Sequence, residues 1–359
     1  MNEENTKALY PNPPQKKKKK KSNAGFIIAI VFLSLITLSS LLVAYQSVKL
    51  YKDSLVTEEV EPEITYTQQQ VDDMLTLARE EAAETATADF RKDLKETAEN
   101  SNGIVSMLRK MYPEYFVYYN SNHYEFVEID HTIPQANFVN ENIISNNGFL
   151  EYKVDGETKS VKGIDVSEFQ GDIDWAKVAE SGVKYAMIRL GLRGYGTGKL
   201  VTDEKFEANI NGALNNGIEV GVYFFTQAIT PAEAREEAEY VLNELEGYNI
   251  TYPVAIDVED LYNEKARSYN QSKESRTECA VAFMEAVKAK GYTPAIYGNL
   301  NTFTKLVEVN KLGTYDKWFA LYDTGIYFPY EITIWQYSDK GSVDGIEGTV
   351  DLNITFPKN

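Results

Sequence analysis

Eight short apolar segments between residues 163 and 354 constrain the fold of this chain more than any other feature. They are Gly163–Val166, Tyr185–Leu190, Glu219–Phe225, Pro253–Glu259, Thr293–Gly298, Trp318–Tyr322, Ile332–Tyr337 and Thr349–Ile354. The early segments are separated by amphipathic helical stretches, clearest at Pro231–Leu245 and Ser272–Lys290, whereas the last ones follow each other closely. This alternation predicts an α/β fold, a modified β/α barrel of eight strands in which the later helices are reduced. An open doubly wound sheet is the alternative.

Acidic residues lie at the ends of three of these predicted strands, where a parallel barrel places its functional side chains. Asp165 is near the end of the first, Asp257 and Glu259 end the fourth, and Asp351 lies in the eighth. Two residues apart on a strand, Asp257 and Glu259 point to the same side at a separation of about 6.6 Å. Like charges in a partly dry site resist joint ionisation, so one carboxyl should keep its proton to a higher pH and form an acid beside a base.

Aromatic and amide residues occupy the strand ends between these acids. They are Tyr223, Tyr297, Tyr322, Trp335 and Gln336. Carboxylate pairs flanked by aromatic faces are suited to glycoside hydrolysis, which needs neither a metal nor a cofactor. Four carboxylates could instead bind Mg²⁺ or Ca²⁺, although crowded aromatic rings suit a sugar better than a hydrated cation. A solvated strand end is a third interpretation of the Asp-x-Glu pattern.

The composition excludes several other chemistries. Cys279 is the single cysteine, and His123 and His131 are the two histidines, so the sequence offers no intrachain disulfide and no site built from several Cys or His ligands. Acidic residues number 54 against 36 basic ones, with a formal net charge of -18. Such a chain lacks the basic footprint of a nucleic-acid binder outside one short tail.

The first 45 residues predict a membrane anchor. Residues 24–45 are almost continuously apolar, and as a helix they would rise about 33 Å, enough to cross a bilayer. A secretory signal peptide is the alternative, but its apolar region is usually only about 7–15 residues long. Six lysines, Lys16–Lys21, precede the span. The positive-inside bias therefore predicts a single-pass protein with a cytoplasmic amino terminus and its remaining residues outside the cell membrane.

The predicted organisation has five parts: a cytoplasmic basic tail at 1–23, a transmembrane helix at 24–45, a helical stalk at 46–111, a small β-rich module at 112–161 and the barrel at 162–359. The stalk shows apolar residues three or four positions apart in a sequence rich in Glu and Ala. That stripe is too thin for a clean heptad pattern, so self-association through a coiled coil stays open. The module is rich in aromatic and β-branched residues broken by Asn and Gly, as in short hairpins, and its two histidines are assigned no chemistry.

Seven short motifs follow one another in the barrel segment in an order typical of one enzyme family. They are Gly163–Gly171, Ile173–Trp175, Gly221–Phe225, Asp257–Glu259, Trp318–Tyr322, Ile334–Tyr337 and Val350–Asn353. With them, the segment from Lys162 to about Phe356 resembles the catalytic domain of glycoside hydrolase family 25, the N-acetylmuramidase (lysozyme) family. Their joint order is specific, although each motif alone is not.

This resemblance implies cleavage of the β-1,4 bond between N-acetylmuramic acid and N-acetylglucosamine in bacterial peptidoglycan. Glu259 would be the general acid, and Asp257 would orient the substrate's own 2-acetamido group, which is thought to attack the anomeric carbon in this family. Asp165 and Asp351 would complete the acidic cluster. Residues expected in contact with sugar are Tyr223, Trp335 and Gln336.

The chain departs from the family pattern at two places. Phe224 stands where many members have His, which would alter a subsite or the pKa of a neighbour. The stretch Arg189–Tyr195 replaces a Lys-x-Ser/Thr-Glu-Gly pattern common at the end of the second strand. Neither departure touches the four acids.

Topology and resemblance together predict a muramidase tethered to the outer face of the membrane, with peptidoglycan glycan strands as its partner. A tethered hydrolase suits local remodelling of the wall, or passage of a wall-spanning machine, better than bulk lysis. A non-catalytic wall-binding or adhesion protein on the same fold is the alternative function.

Overall fold

The computed structural model describes residues 39–52, 66–99, 103–120, 122–146 and 148–357. Contacts within the chain divide it into two units, Met1–Thr87 and Ala88–Asn359. The predicted basic tail and most of the predicted span at 24–45 lie outside the described residues. Within those described ranges, no helix combines the length and the apolar character needed to cross a membrane.

Among the described residues, three helices precede the strands: α1 at residues 39–52, α2 at Gln68–Glu99 and α3 at Gly103–Met111. Helix α2 has 32 residues and therefore rises about 48 Å. Its described side chains are almost all exposed, and local pairs such as Lys92–Glu96 and Gln68–Asp72 lie one turn apart along it. Such pairs add only a few tenths of a kcal/mol each, about 0.2–0.5 in isolated helices, so α2 has little packing of its own. Helical structure is thus present where the sequence predicted a stalk.

Five short strands follow, as the alternation of aromatic and turn residues predicted. They are β1 (Tyr115–Asn120), β2 (His123–Glu128), β3 (Ile143–Asn146), β4 (Phe149–Val154) and β5 (Glu157–Thr158). Strands β1 and β2 form an antiparallel hairpin, and β3, β4 and β5 form a separate antiparallel sheet. The second sheet packs on the barrel, since the backbone N–H of Leu150 donates to the hydroxyl of Tyr337 at 3.2 Å.

Nine further strands follow, of which eight close into a barrel. They are β6 (Lys162–Val166), β7 (Tyr185–Arg193), β8 (Leu200–Thr202), β9 (Glu219–Phe225), β10 (Val254–Asp257), β11 (Pro294–Asn299), β12 (Asp316–Ala320), β13 (Ile334–Gly341) and β14 (Val350–Thr355). The seven strands β6, β7 and β9 to β13 are parallel, each to its neighbour in this order. Strand β14 runs antiparallel between β13 and β6. Strand β8 only extends the end of β7. The predicted barrel is therefore confirmed, and the open doubly wound sheet is excluded because β6 pairs on both sides.

Helices cover the early part of the barrel and disappear from its later part, as predicted. They are α4 (Trp175–Glu180), α5 (Phe206–Asn215), α6 (Pro231–Glu244) and α7 (Lys273–Ala289). The side chains of Thr230 and Ser272 accept hydrogen bonds from the first turns of α6 and α7, which fixes where these helices begin. Between β11 and β12 there are only short helical turns, and the described residues from β12 to β14 form no helix.

The reversed direction of β14 determines where Asp351 lies. Its amino end meets the same edge of the barrel as the carboxyl ends of the parallel strands. The register pairs Asp351 directly with Asp165 on β6. The sequence therefore predicted the correct edge of the barrel for Asp351. At that edge the eighth strand begins, whereas the parallel strands end there.

A tyrosine fills the interior of the barrel beside β6. Tyr185 is fully buried and stacks on Tyr252 with ring centroids 4.2 Å apart. A Cβ at Gly163 would lie 2.2 Å from the Cζ atom of Tyr185, far inside contact distance. Glycine at this position is therefore required by packing, not by backbone conformation.

We predict that Gly163→Ala destabilises the barrel by about 1–3 kcal/mol, the usual cost of inserting a methyl group into a packed interior. Urea or thermal unfolding of the full chain measures the effect. Gly196→Ala is the matched control, since no atom lies within 4 Å of the position that a Cβ would take there and its backbone conformation is ordinary. Equal stability of the two variants would contradict the packing argument.

Candidate active site

Four carboxyl groups meet at the barrel edge where the parallel strands end. Asp165 and Asp257 are buried, with 4% and 3% exposure, and Glu259 and Asp351 are partly buried. All four sequence-predicted acids thus come together, although they come from three distant parts of the chain. The electrostatic interactions among them, including Asp165 with Glu259 and Glu259 with Asp351, follow from this proximity.

Asp257 and Glu259 are closer than an extended strand would allow. Strand β10 ends at Asp257, so Glu259 lies in the loop that follows and not on the strand as predicted. The intervening Val258 is held by its N–H, which donates to Tyr297 O at 3.1 Å, and by its carbonyl, which accepts from Thr302 Oγ1 at 2.7 Å. The two carboxyl groups are hydrogen-bonded to each other, with Asp257 donating to Glu259.

Burial is the main cause of the raised pKa of both members of this pair. The pKa of Asp257 lies well above its ordinary 3.8 because of burial, the charge of Glu259 and the hydrogen bond that Asp257 donates. Burial also raises the pKa of Glu259, while the hydrogen bond from Asp257 partly offsets the rise. Both shifts are those expected of two carboxyl groups that resist joint ionisation.

Asp165 and Asp351 form a second pair that shares a proton. Burial raises the pKa of Asp165 to about 6, against hydrogen bonds from Asn353 and Gln336 that lower it. Burial raises the pKa of Asp351 to about 8, assisted by the charge of Asp165 and by the hydrogen bond that Asp351 donates to it. Asp165 is therefore the acceptor of this pair and Asp351 the donor.

Two amide side chains hold Asp165 in place. Its Oδ2 atom accepts from Gln336 Nε2 at 2.8 Å and from Asn353 Nδ2 at 2.7 Å. Asn353 in turn accepts from Trp318 Nε1 at 2.8 Å, which fixes the orientation of its amide. A carboxylate oxygen occupied by N–H donors in this way is bound as an anion and is poorly placed to ligate a cation, which argues against the metal-site interpretation.

Gln336 connects this network to two of the predicted tyrosines. Its Oε1 atom accepts from the hydroxyl of Tyr297 at 2.9 Å and from that of Tyr322 at 3.1 Å. Tyr297 is 8% exposed, whereas Tyr322 is 53% exposed at the rim. Tyr223 contacts the ring of Trp318 edge-on, with centroids 5.5 Å apart, on the inner side of the barrel. These predicted residues thus line or support the cluster.

Trp335 is a correction to the sequence prediction. Its side chain has no exposed surface, its Nε1 donates to Leu321 O at 2.8 Å, and it packs in the hydrophobic core. Successive side chains of a strand point to opposite faces. Because Gln336 faces the cluster, Trp335 faces away from it and does not contact a sugar in the cleft.

Phe224 is excluded from the cleft for the same reason. Tyr223 faces the barrel interior, so Phe224 points outward, fully buried with its ring 6.2 Å from that of Tyr240. Phe224 therefore does not contact the acidic cluster. The expected change in a subsite or in a neighbouring pKa does not arise from such a contact.

Arg189 is a site residue to which the sequence analysis assigned no role. It is 9% exposed and pairs with Glu168 at 2.8 Å and with Asp203 at 2.7 Å. Its positive charge also acts on Asp257 and partly opposes the rise in the pKa of that carboxyl. The signal was its position in the unusual stretch at the end of the second strand. Asn353 could have been found as well, since it lies two residues after Asp351 and so on the same face.

A pocket of about 350 Å³ opens beside Glu259. Tyr297 and Tyr322 line it together with amide and aromatic residues of the neighbouring loops. A wider depression of about 870 Å³, which includes residues of α6 and α7, contains none of the four acids. Of these two, the pocket beside Glu259 is the one that reaches the cluster.

The family model of glycosyl hydrolases family 25 matches residues 164–346. The chain belongs to glycosyl hydrolase family 25. The match includes Asp165, Asp257 and Glu259, and Asp351 lies just beyond it. This establishes the resemblance that the ordered motifs indicated.

Two curated relatives are similar over the same part of the chain. An autolytic lysozyme from Clostridium acetobutylicum is 31% identical over 199 residues, which are 54% of this chain and 55% of the relative. Lysozyme M1 from Streptomyces globisporus is 30% identical over 212 residues, which are 55% of this chain and 68% of the relative. The chain thus spans only about half the length of the clostridial lysozyme.

A solved structure with a similar fold is that of the modular autolysin LytC from Streptococcus pneumoniae in complex with a synthetic peptidoglycan ligand. It aligns with a TM-score of 0.50 at 22% identity, over 66% of this chain and 55% of LytC. This similarity concerns the fold.

The raised pKa values predict how stability depends on pH. An unfolded Asp351 titrates near its ordinary 3.8, whereas the folded one titrates at about 8. Between these pH values the folded state holds a proton that the unfolded state has lost. The stability that this proton contributes is therefore fully present below about pH 4 and is lost as the pH rises through about 8. Asp351→Asn should therefore flatten the decline of stability between these pH values by up to about 1.4 kcal/mol per pH unit.

Urea unfolding at several pH values between about 5 and 8 measures this slope. Asp344→Asn is the matched control, because Asp344 is exposed and outside the cluster. If Asp351→Asn keeps the slope of the unmodified chain, Asp351 does not hold a proton in the folded state.

Proposed function

We propose that this chain is a peptidoglycan hydrolase, an N-acetylmuramidase that cleaves the β-1,4 bond between N-acetylmuramic acid and N-acetylglucosamine. The observation that carries the proposal is the buried Asp257–Glu259 pair, which shares a proton and of which Glu259 lines the pocket. The names of the family relatives, lysozymes from Clostridium and Streptomyces, support the same reaction, and the LytC complex supports the substrate class.

Glu259 supplies the proton in this mechanism. It lies at the pocket wall, and it receives the proton that Asp257 holds in the resting pair, through their hydrogen bond, when the substrate's N–H binds Asp257. Transfer of that proton to the glycosidic oxygen neutralises the leaving group as the bond to the anomeric carbon breaks. Glu259, now ionised, later accepts a proton from the water that attacks the same carbon.

Asp257 positions the nucleophile. Its Oδ1 atom is buried and has no hydrogen-bond partner among the described residues. The N–H of the substrate's 2-acetamido group would provide that partner, which turns the acetamido oxygen toward the anomeric carbon. That oxygen bonds to the carbon as the glycosidic bond breaks, and water then displaces it. This substrate-assisted route is a known exception to the scheme with two protein carboxylates.

Asp165 acts on this pair through its charge, and Asp351 does so when it is ionised. Asp165 raises the pKa of Asp257, and Asp351 raises that of Glu259. Arg189 opposes the first effect. These groups therefore set the pH range in which the catalytic pair keeps one proton, without touching the bond that breaks.

The alternative, a non-catalytic wall-binding or adhesion protein on this fold, would not need such a pair. A buried carboxyl pair is costly to fold, because each group loses its hydration. In a protein that only bound glycan, an amide side chain could replace one carboxyl group of the pair without loss of glycan binding. The retained Asp257 and Glu259 favour the enzyme.

Tethering to the outer face of the cell membrane is part of the proposal. It rests on the apolar run at 24–45, the preceding lysines and the helices that separate this run from the barrel. An anchored hydrolase reaches only the nearby wall, which suits local remodelling. Contact with wall-spanning machinery, or self-association through α2, would be consistent with the same arrangement.

Glu259→Gln should lower the release of reducing ends from purified peptidoglycan by about 10²–10⁴-fold, the usual contribution of a general acid. Binding to insoluble peptidoglycan should persist, because glutamine keeps the size and polarity of the side chain. The control is Glu239→Gln, an exposed glutamate on α6 that does not line the pocket. Binding by the unmodified chain without any release of reducing ends would favour the adhesion protein.

Membrane fractionation with protease digestion of intact cells tests the tether. The full chain should sediment with membranes, and the barrel should be accessible to protease from outside. Replacing Lys16–Lys21 by serine should weaken this orientation. Recovery of an equally active, shed barrel in the medium would contradict a tethered mode of action.

A further inference from the structure

The pocket beside Glu259 is built by two parts of the chain. One wall comes from the barrel loops, and the other comes from β1 of the hairpin, through Tyr118, Tyr119 and Asn120. The hairpin precedes residues 164–346, which the family model covers. A component outside the matched domain therefore shapes the cleft at the acid.

The hairpin is fixed against the barrel by specific contacts. The hydroxyl of Tyr118, which is 4% exposed, donates to Thr304 Oγ1 at 3.1 Å. Lys305 Nζ binds Glu125 Oε1 on β2 at 2.7 Å, and Phe116 contacts Phe328 edge-on with ring centroids 6.1 Å apart. The hairpin wall is therefore preformed, which reduces the entropy lost when a ligand binds.

The pocket lining suits a neutral, polyhydroxylated ligand. Apart from Glu259, none of its residues is charged, and the amides of Asn120, Asn299 and Asn301 alternate with tyrosine rings. Amide groups can donate to and accept from sugar hydroxyl and acetamido groups, while aromatic faces cover the apolar side of a ring. A charged peptide stem would find no charged side chain to pair with in this lining other than Glu259.

Exposed tyrosines mark the outer rim. Tyr322 is 53% exposed and Tyr262 is 77% exposed. Tyr262 also has a positive φ of 49°, which is an unfavourable backbone conformation for a bulky residue, and its N–H donates to Asp260 Oδ1 at 2.9 Å. The strained backbone at Tyr262 thus holds an aromatic ring in solvent at the entrance of the pocket. Backbone strain of this kind is typical of binding sites.

We propose that this pocket is a saccharide subsite, which the hairpin completes and which binds a further N-acetylated amino sugar ring of the glycan strand next to the bond held at Glu259. Its volume of about 350 Å³ lies at the lower end of the range for small-ligand sites, so it takes a short stretch of glycan and not a bulky partner. This inference rests on the proposed function for the identity of the glycan, but not for the presence of a sugar site.

Kinetics on soluble peptidoglycan fragments of graded length test the subsite. Asn120→Ala should raise KM for long fragments about three- to tenfold, the effect of losing one neutral hydrogen bond, with kcat nearly unchanged. The shortest cleavable fragment should show a smaller effect, because it does not fill every subsite. Asn146→Ala is the matched control, an exposed asparagine on β3 that does not line the pocket.

A binding measurement separates the subsite from the reaction. In the Glu259→Gln chain, calorimetry with the same fragments should show a three- to tenfold weaker Kd, about the factor expected above, when Asn120→Ala is added. Tyr262→Ala, on the facing rim, should weaken binding as well, and thermal unfolding verifies that each variant is folded.

The outcomes distinguish the two proposals. If the unmodified chain cleaves peptidoglycan while Asn120→Ala and Asn146→Ala behave alike in KM and Kd, the subsite is wrong and the proposed function stands. If the unmodified chain releases no reducing ends but Asn120→Ala still weakens glycan binding, the subsite stands and the muramidase is wrong.

Discussion

The mutual repulsion of four carboxyl groups, two of them buried and two partly buried, is the constraint on which this site depends. They can lie together because each pair shares a proton and because N–H donors from Gln336 and Asn353 hold Asp165. The same arrangement leaves a proton in a dry place beside a pocket. Keeping the proton there lowers the stability of the fold, which is the usual trade-off between stability and activity at an active site.

The barrel supplies this arrangement through the direction of one strand. A fully parallel barrel would place the start of β14 at the opposite edge, but its antiparallel pairing with β6 sets Asp351 directly opposite Asp165. The antiparallel pairing also allows β13 and β14 to be joined without a helical crossover. The helix missing between these two strands and the position of Asp351 therefore follow from the same reversal.

The sequence was sufficient to predict the barrel and the acidic cluster, because alternating strands and helices and acids at strand ends are local patterns. It was not sufficient to predict which face a buried strand presents. Parallel strands are apolar on both faces, so Trp335 and Gln336 were equally good candidates for the cleft until the structure assigned Trp335 to the core. The end of β10 at Asp257 was missed for a related reason, since the Asp-Val-Glu sequence continues the strand pattern into the loop.

Sequence patterns also could not predict the contacts between distant parts of the chain. The ion pair of Arg189 with Asp203 crosses from a strand to a loop, and the hairpin meets the barrel through the bond of Tyr118 with Thr304, 186 residues later. The β-rich module could be recognised as strands, but nothing local indicated that it borders the cleft. The part of the protein that distinguishes it from the matched family domain therefore lies next to the family's acids.

Mass spectrometry of borohydride-reduced fragments from a peptidoglycan digest tests the central claim most directly. The newly formed reducing ends should be N-acetylmuramic acid, recovered as its reduced alcohol. New ends on N-acetylglucosamine, or fragments indistinguishable from those of an undigested wall, would contradict it.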